Sequence, residues 1–121
     1  MLAKKIKRQI SIKEPCLFLE KLYTILMRVE YKEYIDWSEN GEIINISDKI
    51  KFSNKILPKF FKHNKYSSFI RQLYLYGFHK IPKIKNSKNE QFINPNFTRY
   101  KTLKEIKEMK KKNTNHYSNE D

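Results

Sequence analysis

A single cysteine, Cys16, stands in the whole 121-residue chain. No intramolecular disulfide can form, which favours the cytosol or nucleus over an oxidising compartment. Glycine is almost as scarce. Gly41 and Gly77 are the only two, and no glycine-rich loop is available to cradle a phosphate. No run of about 18 apolar residues occurs, so no transmembrane helix is expected. The opening "MLAKKIKRQI" is basic but no apolar stretch follows it, and it does not read as a secretory signal. Cys16, His63, His79 and His116 have no metal-ligand spacing. No serine lies in a nucleophile motif with a base, and the carboxylates form no pair suited to acid–base work. Neither enzyme activity nor a metal or cofactor is expected.

The most informative absence is local. The chain carries 26 Lys and Arg against 13 Asp and Glu, a net charge of +13 and a pI near 9.8. None of the 13 acids falls between Lys49 and Asn89, a window that holds 11 Lys and Arg. Solvated faces ordinarily interleave the two signs, whereas one sign alone reads as a footprint for phosphates. Nucleic acid is the first partner expected, and an anionic membrane surface the second.

What is present is aromatic and periodic. Hydrophobic residues make up 39% and aromatics 14%, ample for the one core that a chain of this length builds. Residues 1–14 read as a flexible basic arm, 15–112 as the domain and 113–121 as a polar tail. Pro15 sits where a helix can begin, and Phe18, Leu22, Ile25, Leu26 and Val29 follow at helical spacing. "YIDWSENGEIINIS" predicts a hairpin, Tyr34–Trp37 and Glu42–Ile46 around Asn40-Gly41. Ser47 or Asp48 then caps a second helix from Lys49 to Leu57, with Ile50, Phe52, Ile56 and Leu57 for its buried side. Pro58 should break or kink it. Asn64 is placed to cap a third helix, Tyr66–Tyr76, which Gly77 stops. "FHKI" and "QFI" predict two more strands around the polar loop "PKIKNSKNE". Asn94-Pro95 is a turn, and "YKTLKEIKEMKKK" is helical. The order predicts an α+β fold, a winged helix-turn-helix. Three helices form a bundle capped by a small antiparallel β-sheet, with the basic loop 82–90 as the wing.

The third helix has two faces, because residues three and four apart share one. Phe69, Leu73 and Tyr76 lie on the first, with Ile70 at its edge. Ser67, Arg71, Tyr74 and Leu75 fall largely opposite, and Ser68 sits beside them. Arg71 therefore projects away from the core, and no acid lies within a turn of it along the helix. An α-helix fits the major groove of B-DNA. A guanidinium there donates two hydrogen bonds to guanine O6 and N7, worth about 1–3 kcal/mol of discrimination. Ser67 and Ser68 are small enough for phosphates to approach and can bond to them. Lys59, Lys62 and Lys65 before the helix, and Lys80 after it, would grip phosphates on either side.

"LPKFFKHNKYSSFIRQLYLYGFHKI" closely resembles the signature of the heat shock transcription factor DNA-binding domain. "FLEKLYTIL" looks like that family's first helix, "IDWSENGEIINISD" like its tryptophan-bearing hairpin, and "FINPNFTR" like its closing strand. The likeness covers about residues 15–112. It implies a nuclear transcription factor that reads GAA-type modules of double-stranded DNA in the major groove. It implies that Arg71 contacts the guanine. It also implies that Lys62, His63, Ser68, Gln72, Tyr76, Lys80 and Arg99 lie at the DNA, mostly on the phosphate backbone. The family's wing tends to point away from DNA, towards neighbouring subunits or other proteins.

The sequence departs from the family at several points. Tyr74 stands where asparagine is typical and offers a ring and one hydroxyl beside the guanine in place of an amide. Lys65 stands where a second asparagine is usual, and the wing is shorter. Family members normally trimerise through a long coiled coil after this domain. Here only Leu103, Ile106 and Met109 recur before Lys110 interrupts, and a coiled coil needs about three to four heptads. The terminal helix is expected to pack on the domain. The chain is expected to be a short member without the coiled coil, associating on DNA with further copies or with a partner. Two other readings are a basic RNA-binding or ribosome-associated protein, and a truncated regulatory module that competes with a full-length partner. RNA binders commonly present stacking aromatics on a sheet or loop, whereas the face expected to be exposed here is helical and small.

Overall fold

The structure is a computed structural model that describes residues 15–109; the basic arm 1–14 and the polar tail 113–121 lie outside those residues. Helix α1 (Pro15–Met27) begins at the proline, whose missing N–H is no loss in a first turn. Phe18, Leu22, Ile25 and Leu26 are buried as their spacing predicts, together with Leu19. Val29 is not. The chain leaves α1 for a short 3-10 turn, Val29–Tyr31, and Tyr31 enters the core while Val29 stays 75% exposed.

Strands β1 (Ile35–Trp37) and β2 (Ile43–Ile46) form the first hairpin. Strands β3 (His79–Ile81) and β4 (Glu90–Ile93) form the second, and β4 pairs with β2 to give the antiparallel order β1-β2-β4-β3. Successive strand residues point to opposite faces, so Ile35, Trp37, Ile44, Ile46 and Phe92 enter the core. Glu90 is in phase with Phe92 and is buried with it. Both strands of the first hairpin start one residue later than expected and end where expected, and side chains close the loop between them. Ser38 Oγ donates to Asn40 Oδ1 at 2.6 Å and accepts from the Ile43 N–H at 3.1 Å. Asn40 Oδ1 also accepts from the Glu42 N–H at 3.0 Å. Gly41 takes φ +78° in this loop, and a Cβ there would meet the side chains of Arg99 and Tyr100 at 2.9–3.1 Å.

Asp48 caps helix α2 (Lys49–Lys55), accepting the N–H groups of Ile50 at 3.0 Å and Lys51 at 3.1 Å. These bonds, the Lys51 one first, hold its carboxyl below the ordinary carboxylate range. Phe52, Ile56 and Leu57 are buried, but Ile50 is 66% exposed. Two residues from Phe52 on a helix, it falls about 200° round the axis, on the opposite face. Pro58 breaks the helix as expected. At Ile56 the chain enters a separate short helix, α3 (Leu57–Phe61), with Pro58 in its first turn. It ends at Lys62, which adopts the left-handed φ of +62°.

Helix α4 (Tyr66–Leu75) is not capped by Asn64. The helix starts at Tyr66 as expected, but Lys65 is the N-cap and its side chain caps nothing. Instead His63 Nδ1 accepts the Lys65 N–H at 3.0 Å. At the other end Gly77, at φ +92°, allows the reversal that glycine alone adopts without strain. The N–H groups of Gly77 and Phe78 bond back to Tyr74 and Leu73 carbonyls at 3.0 Å each, a Schellman closure. Only Leu103–Lys107 of the expected terminal helix is helical among the described residues. This helix, α5, starts at Thr102, whose side chain and that of Glu105 cap each other's backbone N–H. It packs on α1 with Ile106 fully buried, as expected.

A candidate nucleic-acid interface on helix α4

Rings hold the inner face of α4. Phe18 of α1 lies 5.6 Å from Phe69 and 5.8 Å from Tyr76, centre to centre, and Phe52 of α2 lies 5.0 Å from Phe69. Leu73 is fully buried between them in sequence. A buried side chain of this size contributes about 1.5–3 kcal/mol, so the helix cannot roll without exposing several.

Both ends of α4 are tied to β4. At the N-terminus the Tyr66 hydroxyl donates to Glu90 Oε1 at 2.7 Å. Burial, and then this bond, push the phenol pKa well above the ordinary tyrosine value. Beyond the C-terminus, buried Asn94 donates through Nδ2 to the Tyr76 carbonyl at 3.0 Å. Its Oδ1 accepts the Asn96 N–H at 2.9 Å, closing the expected turn at Pro95. The helix is thus fixed in rotation by its rings and in position by the first residue of β4 and the residue that follows the strand.

On the outer face of this fixed helix stands Arg71, exposed and without a hydrogen bond, ion pair or ring contact among the described residues. Ser67 is exposed beside it, and Ser68 and Gln72 are half-buried on its flanks. Tyr74 departs from expectation. It does not stand clear with Arg71 but is half-buried, its ring 6.5 Å from Phe92 of β4. It lies about 60° round the helix from Arg71, on the side where the sheet approaches. Tyr76 is 1% exposed and stacked on Phe18, so it is a core ring and not a surface contact.

Each of the expected basic side chains has its own surroundings. Lys62 is exposed at the corner before α4, and His63 next to it is half-buried against Phe61 at 6.3 Å. Lys59 rests over the Tyr31 ring at 5.7 Å. Lys80 follows α4 on β3, with its ammonium 3.7 Å from Glu90 Oε2. Arg99 is drawn to the first hairpin loop. Its guanidinium donates to the Glu39 carbonyl and the Tyr100 hydroxyl, each at 2.9 Å, and its backbone N–H bonds to Gly41.

The sequence reading missed two residues of this arrangement. In the sequence Asn94 reads only as a turn, and Glu90 only as the end of a loop. Glu90 was findable: in "EQFI" it alternates in phase with Phe92, and a strand begun one residue earlier would have turned it inward.

Residues 18–112 match the HSF-type DNA-binding family. The chain is 42% identical over 90 residues to a heat shock transcription factor of Cryptococcus neoformans var. grubii, an alignment covering 68% of this chain and 12% of that protein. It therefore spans about an eighth of that relative's length. Among solved structures it is similar to Chaetomium thermophilum Skn7 crystallised with SSRE DNA, at TM-score 0.71 and 32% identity, covering 78% of this chain and 98% of that one. It is also similar to a heat shock transcription factor in complex with DNA, at TM-score 0.58 and 36% identity, covering 64% and 92%. The expected winged helix, three helices on a small antiparallel sheet, is the fold shared with these structures.

Proposed function

The chain belongs to the HSF-type DNA-binding family, and from that premise we propose that it is a sequence-specific transcription factor of the heat shock factor type, bound to double-stranded DNA in the nucleus. Helix α4 enters the major groove and reads GAA-type modules. The observation that carries this reading is Arg71, an exposed guanidinium with no partner among the described residues, on a helix tied at both ends. Such a group gives up no protein contact on meeting a base, and its anchoring fixes where its two donors point. Arg71 reads the guanine, and Tyr74 contributes only from the flank. Lys62, His63, Ser67, Ser68, Gln72, Lys80 and Arg99 serve the backbone, with Tyr76 supporting them from the core. The role is binding, not catalysis.

The test compares a duplex carrying inverted GAA repeats, a scrambled duplex and an RNA hairpin across a salt series. The repeat duplex should bind tightest at every salt concentration. Equal affinity for all three would sink the reading, and preference for the hairpin would replace it with RNA binding. Arg71→Ala should remove about 1–3 kcal/mol of preference for the repeat. Lys62→Ala should weaken both duplexes alike and reduce the salt slope by about 1.

A further inference from the structure

Glu90 opens β4 directly after the acid-free stretch 49–89, and strand alternation leaves its side chain only 7% exposed. One carboxylate oxygen is committed to the Tyr66 hydroxyl at 2.7 Å. The other faces three ammonium groups: Lys80 at 3.7 Å, Lys83 at 3.8 Å and Lys49 at 3.9 Å. They arrive from β3, from the wing and from the first turn of α2. The three distances exceed those of hydrogen bonds. The lysine side chains remain 39%, 40% and 53% exposed for Lys80, Lys83 and Lys49, so each is open to a second anion. Three positive charges against one negative leave the cluster at +2.

A lysine that already faces a buried carboxylate gains less from a phosphate than a lysine facing water and salt. Its charge is already partly offset, so it neutralises less of a phosphate and releases fewer of the counter-ions condensed on the nucleic acid, and that release is what drives phosphate binding. The carboxylate, being nearly buried, is screened weakly by salt, so its hold persists where surface pairs fade.

We infer that Glu90 is an internal counter-ion, a positioning residue that gathers Lys49, Lys80 and Lys83 beside the reading helix and restrains their grip on nucleic-acid phosphate. The inference rests on the DNA-binding reading for its ligand. Glu90→Gln keeps the size of the side chain and an acceptor for Tyr66 while removing the charge. The variant should bind repeat and scrambled duplexes more tightly at low salt. Its salt slope should steepen by about 0.9 for each additional phosphate neutralised, a further loss of roughly threefold between about 50 and 200 mM salt. Elution from heparin, a sulfated polyanion, should move to higher salt in step. A merely structural role would lower the melting temperature and weaken binding, and would not steepen the slope.

The double variant Tyr66→Phe/Glu90→Met covers the case in which Glu90→Gln does not fold. It replaces both polar partners with apolar groups of similar shape, a change that can be nearly neutral, and should show the same gain. An unchanged or shallower slope in a folded variant overturns the inference. Should the wild type hold heparin but no duplex, the DNA reading fails, and the heparin elution of the variants still decides the role of Glu90.

Discussion

Lys62 holds a backbone φ of +62°, a conformation that costs a side chain with a Cβ about 1–2 kcal/mol. The corner between α3 and α4 needs that reversal, and glycine would supply it without strain. A lysine there makes sense if its ammonium is needed at the phosphates. Lys62→Gly should accordingly raise stability by up to about 1 kcal/mol in chemical denaturation, while both duplexes bind more weakly. A loss of stability would show that the turn is not strained. At this scale the sequence was legible where a side chain answers to its own helix. The outward direction of Arg71 follows from spacing alone. Tyr74 was not legible, because what turns it inward is Phe92, eighteen residues away on β4. Ile50 failed for the opposite reason: it was read as buried for being apolar, against its own helical phase.

The elements show how α4 is presented. Local backbone constraints were readable in advance, since Pro58 must interrupt α2 and Gly77 must end α4 whatever surrounds them. Asn64 offers a capping side chain in the sequence, but the N-cap place one residue before Tyr66 falls to Lys65. The ties from β4 are long-range and had no local signature. Their importance can be measured at Asn94, which holds the last turn of α4 through the Tyr76 carbonyl. Asn94→Ala removes this bond and the one that Oδ1 accepts from the Asn96 N–H, at a cost of about 0.5–1.5 kcal/mol each. Amide hydrogen exchange should accelerate in the last turn of α4 before it does in α1. Preference for the repeat duplex should fall even though Arg71 is untouched. Uniform acceleration across the domain would mean that Asn94 supports the fold as a whole and does not hold this helix end in particular.

Across the whole molecule the core runs from the sheet, through the rings around Phe69, to α1 and finally to α5. Element order announced this architecture, but strand order β1-β2-β4-β3 did not follow from it, because register depends on contacts that no short stretch encodes. The terminal stripe of Leu103, Ile106 and Met109 allowed two fates, an exposed seam for another helix or a closing element for this domain. The structure shows the second for the described part. Ile106 is fully buried on α1, Met109 packs at the edge of the core, and Leu103 is 38% exposed. The difference has a thermal consequence. If α5 completes the core, Ile106→Ala removes buried volume that the domain cannot refill, costing about 2–5 kcal/mol. At about 4–8 °C per kcal/mol for a domain of this size, the melting temperature should fall by roughly 10 °C or more. Sedimentation of the variant at low salt should match the wild type. A seam would behave in the reverse way: the melting curve of the domain would stay put, and the state of association would change.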